Sequence, residues 1–249
     1  MPRLCSSNSA VGLSKEIMRL TLVMLLGFLL AGAEPASAQT SSGTVYEFLP
    51  GSQLTDDCLL CDRIPIVVSI TGTFLLRKVD EDPLFTRYVV EEFSFHTTDE
   101  SSFQYQGTGS GSYHVGGEVA LTQEMFLELE IDNGVTKTSA LCSSDPQAVT
   151  QAWPTIQLPV NQTNGTASKV YYLKLLAAPL PRITSLSPDP ATGDVRLAWE
   201  AAGDAFQIER GLGVSGPFYS VATVTNRQSF TDVGVATNHS QLFYRVRRP

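Results

Sequence analysis

The stretch MFLELEID at residues 125–132 constrains the fold of this chain more than any other. Its apolar side chains Met125, Leu127, Leu129 and Ile131 recur every second residue, with Phe126, Glu128 and Glu130 between them. A period of two sends alternate side chains to opposite faces of a pleated strand, so one face is predicted to be buried and the other solvated. Short β-branched and aromatic runs continue the pattern in IPIVVSITGTFLLRKV, RYVVEEFSFHT, FQYQGTGSGSYHV, EVALTQEMFLELEI, TIQLPVNQ and KVYYLKLLA. Turn residues separate these runs. Asp132-Asn133-Gly134 and Asn164-Gly165 read as hairpin turns, because Asn-Gly accepts the positive φ of a tight connection. The single helical signal is Asp145 as N-cap with Pro146 after it, opening QAVTQA. The class expected is all-β, with an antiparallel sandwich or barrel-like domain over residues 39–178.

The N-terminus carries a different signal. Thr21 to Ala33 is an unbroken run of mostly apolar residues, closed by Glu34-Pro35 and followed by Ala36-Ser37-Ala38, a small-residue cleavage pattern before Gln39. A membrane-spanning helix needs about 20 apolar residues, more than this run supplies. Residues 1–38 therefore read as a secretory signal peptide, with translation starting at Met1 or at Met18. The expected location is secreted, periplasmic or cell-surface, with no stable membrane insertion once the leader is removed. That removal takes Arg3, Lys15 and Arg19 from 17 basic residues and Glu16 and Glu34 from 25 acidic ones, so 14 face 23, a net charge of −9. Such acidity argues against nucleic-acid binding, whose affinity comes from Lys and Arg neutralising phosphates.

The mature chain retains Cys58, Cys61 and Cys142, an odd number. The C-x-x-C spacing of the first two fits a redox pair, half a zinc site or structural disulfides. A redox pair needs a thiolate stabilised by a helix N-terminus or a cation; here Asp56, Asp57 and Asp62 surround the pair and a β-branched run follows. A zinc site would join Cys58, Cys61 and Cys142 to His96 or His114 in a Cys3His set, but the second close ligand pair of a zinc ribbon is missing. Structural disulfides are the remaining reading for an exported chain. Chain entropy favours the long closure to Cys142, worth about 4.5 kcal/mol against roughly 2 kcal/mol for a four-residue Cys58–Cys61 loop.

A boundary is expected at AAPLPR, residues 177–182, because its prolines cannot donate ladder hydrogen bonds. Residues 179–182 read as a Pro-rich linker and residues 183–249 as a second sandwich. In that second part DVRLAWE, AFQIERG, FYSVATVT, QSFTDVG and LFYRVR resemble a fibronectin type III domain. The matching positions are Trp199, Phe206, Ile208, Phe230 and Tyr244. The resemblance implies a core Trp facing a later Tyr-Arg-Val strand, and a spacer or binding role without catalytic residues. It also implies a missing last strand, whose open edge Arg247, Arg248 and Pro249 would protect against edge-to-edge pairing.

The remaining chemistry is sparse. No nucleophile elbow occurs, and His96, His114 and His239 are the mature histidines. His96 and His114 could face each other across one hairpin. GTGSGSYHVGG lacks the Lys-Ser/Thr and the helix of a phosphate loop, so its glycines read as bends or bulges. Glu128 with Glu130 reads as a solvated face rather than a glycosidase pair. The carboxylates of VDEDP could bind calcium but lack the spacing of a calcium loop, so a solvated turn is expected. Tyr105, Tyr113, Trp153, Tyr171 and Tyr172 could stack on sugars, with packing in or across strands as the plainer reading. Asn161, Asn164 and Asn238 start glycosylation triplets.

These observations favour an exported, non-enzymatic protein with an adhesion, surface-structural or ligand-binding role, its partner a protein or a glycan, and call for no cofactor. Two alternatives remain at this point: a secreted hydrolase or carbohydrate-active protein with residues 39–178 as its active domain, and a metal-binding module built on the three cysteines.

Overall fold

The computed structural model describes residues 43–98, 102–239 and 241–249. The leader predicted for residues 1–38, with Cys5 and both candidate start sites, lies outside the described residues. The described chain is nearly all β and antiparallel, as the alternation predicts. Ten strands form one sheet: β1 (Thr44–Phe48), β2 (Gln53–Asp57), β3 (Ile66–Glu81), β4 (Phe85–Thr97), β5 (Gln106–Gly116), β6 (Thr122–Asp132), β7 (Lys137–Ser143), β8 (Gln147–Ala148), β9 (Ile156–Gln162) and β10 (Val170–Pro179). Two three-stranded sheets follow, built from β11 (Arg182–Pro188), β12 (Val195–Glu200), β13 (Ala205–Gly211), β14 (Phe218–Thr225), β15 (Ser229–Asp232) and β16 (Phe243–Arg247).

The large sheet closes on itself. β10 pairs with β9 along one edge; along the other it pairs with β1 through Ala177–Pro179 and with β2 through Val170–Lys174. β1 and β2 lie end to end in one lane, and both also run antiparallel to β3. From β3 the ladder passes through β4, β5, β6 and β7 to β9 and so back to β10. This part of the chain is therefore a closed barrel, and closure removes the exposed edges that an open sheet must protect.

Aromatic rings fill the barrel. Tyr46 stacks on Phe74 at 5.1 Å between centroids, Phe74 on Phe93 at 5.7 Å, and Phe48 tilts against Phe93 at 5.4 Å. Met125, Leu127, Leu129 and Ile131 are all buried, so the alternation of β6 assigns its two faces correctly. β5 makes room for the rings with glycine. Gly107 and Gly109 pair with Phe95 and Phe93 of β4, and a Cβ on Gly107 would land on the Phe95 ring. The irregularity of this hairpin lies in β4, between Val90 and Phe93, where Glu92 takes φ 52°.

Three local expectations change. QAVTQA is not helical: Gln147 and Ala148 pair with Gln123 and Thr122 at the start of β6, so a sheet partner overrides the Asp-Pro cap signal. The Asp132-Asn133-Gly134 turn joins β6 to β7 over residues 133–136 rather than two residues. Asn133 Oδ1 accepts the N–H groups of Val135 and Thr136, and Gly134 takes φ 81°. The linker predicted over 179–182 is shorter, because Pro179 ends β10 and Arg182 opens β11, leaving Leu180 and Pro181 outside strands. Even there the Leu180 N–H donates to Val45 O at 2.9 Å. β10 leaves β9 after Ala177 and pairs with β1 alone at Pro179, so the missing proline N–H breaks no ladder and the strand runs into the expected linker.

The two smaller sheets enclose a second core of Val195, Leu197, Trp199, Phe206, Ile208, Val235 and Val246. Trp199 meets Phe206 edge-on at 5.7 Å. Phe230 and Tyr244 are partly buried against this core, and the Tyr244 hydroxyl donates to Asp232 Oδ2 at 2.9 Å.

Candidate functional site

Where the barrel meets the smaller sheets, one arginine ties three segments together. Arg248 is nearly buried, with 11% of its side chain exposed, and pairs with the Glu47 carboxylate of β1. Its Nη2 donates to Pro179 O and to Ala202 O, both at 2.8 Å, and its Nε donates to Ala202 O at 3.0 Å. A guanidinium presents five donors in a rigid plane, so this single side chain fixes the end of β10 and the β12–β13 loop against β1. Arg248 was expected to guard an open strand edge; instead it is turned inward.

Beside this clamp lies an open cleft of about 1080 Å³, lined by residues 43–46, 151–155, 179–182, 200–203 and Gln228. Its dominant side chain is Trp153, in the β8–β9 connection. The indole lies nearly parallel to the buried Tyr113 ring, 11° between planes and 6.3 Å between centroids, and 5.9 Å from Tyr88. Yet 45% of Trp153 is exposed. Two tyrosines brace the ring, and nearly half of it remains available to solvent.

Polar side chains line the same cleft. Gln151 Nε2 donates to Gln157 Oε1 at 3.0 Å, and Gln228 Nε2 donates to Ala201 O at 2.9 Å. Arg182 pairs with Glu200 at 3.1 Å across β11 and β12. Among the described lining residues Glu200 is the single acid and Arg182 the single base, so the cleft has no net charge. Burial supports the platform from below: the Tyr113 hydroxyl donates to Gln123 Oε1 at 3.1 Å, and desolvation raises its pKa well above that of a free phenol.

The cysteines answer the C-x-x-C question differently from the chain-entropy estimate. Cys58 and Cys61 form a disulfide with Cα atoms 5.2 Å apart, and Cys142 is a free thiol on β7, buried in the barrel. Cys142 is buried on β7 between its partners Leu127 and Gln162, whereas the CLLC loop follows β2, closed by the Cys61 N–H donating to Cys58 O at 3.3 Å and tied to the chain by the Leu60 N–H donating to Ala167 O at 3.0 Å. Burial pushes the Cys142 thiol up to about 11, which keeps it protonated. The acid cluster around the pair is also not what its sequence suggests. Asp56 is buried, bound by Arg63 Nη2 at 2.6 Å and by the Tyr105 hydroxyl at 3.0 Å, and Asp57 caps the Cys58 N–H.

The Cys3His reading fails on geometry. His96 opposes Gln106 near one end of the β4–β5 hairpin, and His114 opposes Arg87 near the other, so the two do not face each other. His114 instead contacts Glu124 at 3.0 Å on the outer face. With two thiols in a disulfide and the third inside the barrel, no set of three metal-ligating side chains converges among the described residues. The VDEDP carboxylates close a turn: Asp80 and Asp82 both pair with Arg87 at 2.7 Å, and Asp82 accepts the N–H groups of Leu84 and Phe85. The two backbone N–H groups, with Arg87, hold the Asp82 carboxyl below its usual range.

Of the aromatics considered for stacking, Tyr105, Tyr113 and Tyr171 are core residues, and Trp153 alone combines a braced ring with large exposure. Glu47, Arg182, Glu200, Gln228 and Arg248 carry no local motif, since the clamp joins residues 201 apart in sequence and the cleft lining runs from Gly43 to Gln228. Comparison with protein-family models, with curated proteins and with solved structures returns no match.

Proposed function

We propose that the mature chain is an exported, non-catalytic binding protein, in which the closed barrel and a fibronectin-like second part together present the Trp153 cleft to a ligand at the cell surface or outside it. The observation that carries this reading is Trp153 itself, an indole kept 45% exposed while it rests on Tyr113. An exposed indole forgoes burial worth on the order of 1–2 kcal/mol, so a rigidly placed one is a hallmark of a binding surface. The leader predicted from residues 1–38 and the Cys58–Cys61 disulfide support export. The core positions of Trp199, Phe206 and Ile208 support the fibronectin resemblance. Arg248 makes the cleft a preformed feature, which lowers the ordering cost of binding.

A hydrolytic role needs an acid and a second carboxylate or base meeting at one bond. The cleft offers Glu200, held by Arg182. The test has two parts. Expression in a secreting host should release a chain beginning at Gln39, read by N-terminal sequencing. The purified protein should retain polymer fractions of a cell-surface extract without cleaving them; release of reducing ends or peptide fragments would refute the non-catalytic reading.

A further inference from the structure

We propose that the cleft binds a neutral oligosaccharide, with the C–H face of one sugar ring lying on Trp153. The inference rests on the binding role argued above and adds the class of ligand. Three observations carry it. The indole lies nearly parallel to Tyr113 and tilted against Tyr88, and 45% of it stays exposed, so it offers a flat apolar plate braced by two tyrosines. A pyranose ring has a matching apolar C–H face, and its hydroxyls project around the edge. Around the plate stand planar polar groups: the amides of Gln151 and Gln228, the Arg182 guanidinium and the Glu200 carboxylate. Planar groups with two donors or acceptors side by side suit vicinal hydroxyls, and each has one hydrogen-bond partner and keeps further donors or acceptors for a ligand.

Charge narrows the class. Arg182 and Glu200 cancel, and the chain as a whole is strongly acidic, so a polyanionic sugar would be repelled. Size points the same way. At about 1080 Å³ and open at its sides, the cleft exceeds what one small molecule fills and accommodates a run of several sugar units. An extended peptide would commonly bind by adding a strand to a free sheet edge. On the barrel side that route is closed, because β1 is paired with β10 and β3; β11, which brings Arg182 to the cleft, keeps a free edge, so the proline-rich peptide is included as a competitor in the test.

The experiment uses the mature chain and neutral hexasaccharides of glucose, xylose, mannose and N-acetylglucosamine, with oligogalacturonate, a proline-rich peptide and an apolar dye alongside. Binding is read by calorimetry and by indole fluorescence. The chain has two tryptophans, and Trp199 is buried, so a ligand-dependent emission shift reports on Trp153. At least one neutral hexasaccharide should bind and shift the emission. Trp153→Ala should weaken it about tenfold or more, and Trp153→Phe, which keeps a ring on Tyr113, only a few-fold. The Phe variant keeps the test valid if the Ala variant loses packing at Tyr113. Saccharide binding unchanged in Trp153→Ala would overturn the assignment. Emission shifts from the peptide, the dye or oligogalacturonate without any from neutral sugars would overturn it while leaving the cleft as a binding site. No shift from any probe at millimolar concentration would overturn both.

Discussion

Replacing Arg248 by alanine should loosen the junction between the barrel and the smaller sheets while leaving both apolar cores intact. The magnitude follows from its partners. Pro179 O and Ala202 O each lose a charged donor, at about 1 kcal/mol apiece, since water can enter the space left and hydrate them in part. Glu47, with 25% of its side chain exposed, loses a partly buried ion pair worth roughly 1 kcal/mol after solvent screening. The sum is about 3 kcal/mol, which for a chain of this size lowers the melting midpoint by roughly 6–12 °C. Arg248→Lys keeps the charge but cannot reach three acceptors with a planar fork, so it should fall between wild type and alanine. Glu47→Gln keeps an acceptor and should cost about 1 kcal/mol. Calorimetric melting gives the ranking, and hydrogen exchange gives the location: the Leu180 amide, bonded to Val45 O, should lose protection while amides of β6 keep theirs. An Arg248→Ala midpoint within about 1 °C of wild type, or protection lost equally throughout the barrel, would refute the clamp.

Other consequences are open to direct measurement. Burial raises the pKa of Tyr46, Tyr105, Tyr113 and Tyr244, so the folded chain holds these protons longer than the unfolded one. Their stabilising contribution is complete below the free-phenol pKa of about 10 and disappears as pH rises beyond it; absorbance at 295 nm should show these phenols ionising together with alkaline unfolding rather than in a smooth early titration. Cys142, buried and pushed up to about 11, should resist thiol reagents at neutral pH until denaturant is added, and prompt labelling of the native chain would contradict its placement. Gly107→Ala should destabilise the barrel by roughly 1–3 kcal/mol in a urea melt, because the added methyl meets the Phe95 ring in a filled interior.

The amino-acid sequence by itself determined the strand character of this protein and the inward face of β6, because alternation of apolar and charged side chains is a local property that pleating converts directly into two faces. It also marked Trp199, Phe206 and Ile208 as core positions. Tertiary structure decided the rest. Barrel closure depends on β10 meeting the β1–β2 lane, a pairing between segments more than 100 residues apart that no local pattern encodes. The same holds for the disulfide, which closes the short Cys58–Cys61 loop and leaves Cys142 a buried thiol, against the entropically favoured long closure. It holds for Gln147-Ala148, drawn into a strand by an available edge. The cleft is the clearest case: the sequence offered Trp153 as one of five aromatics that could stack on a ligand, but Trp153, Arg182 and Gln228 gain a joint role only once two packed cores bring them to one seam, because a side chain's chemistry is set by the neighbours that folding supplies.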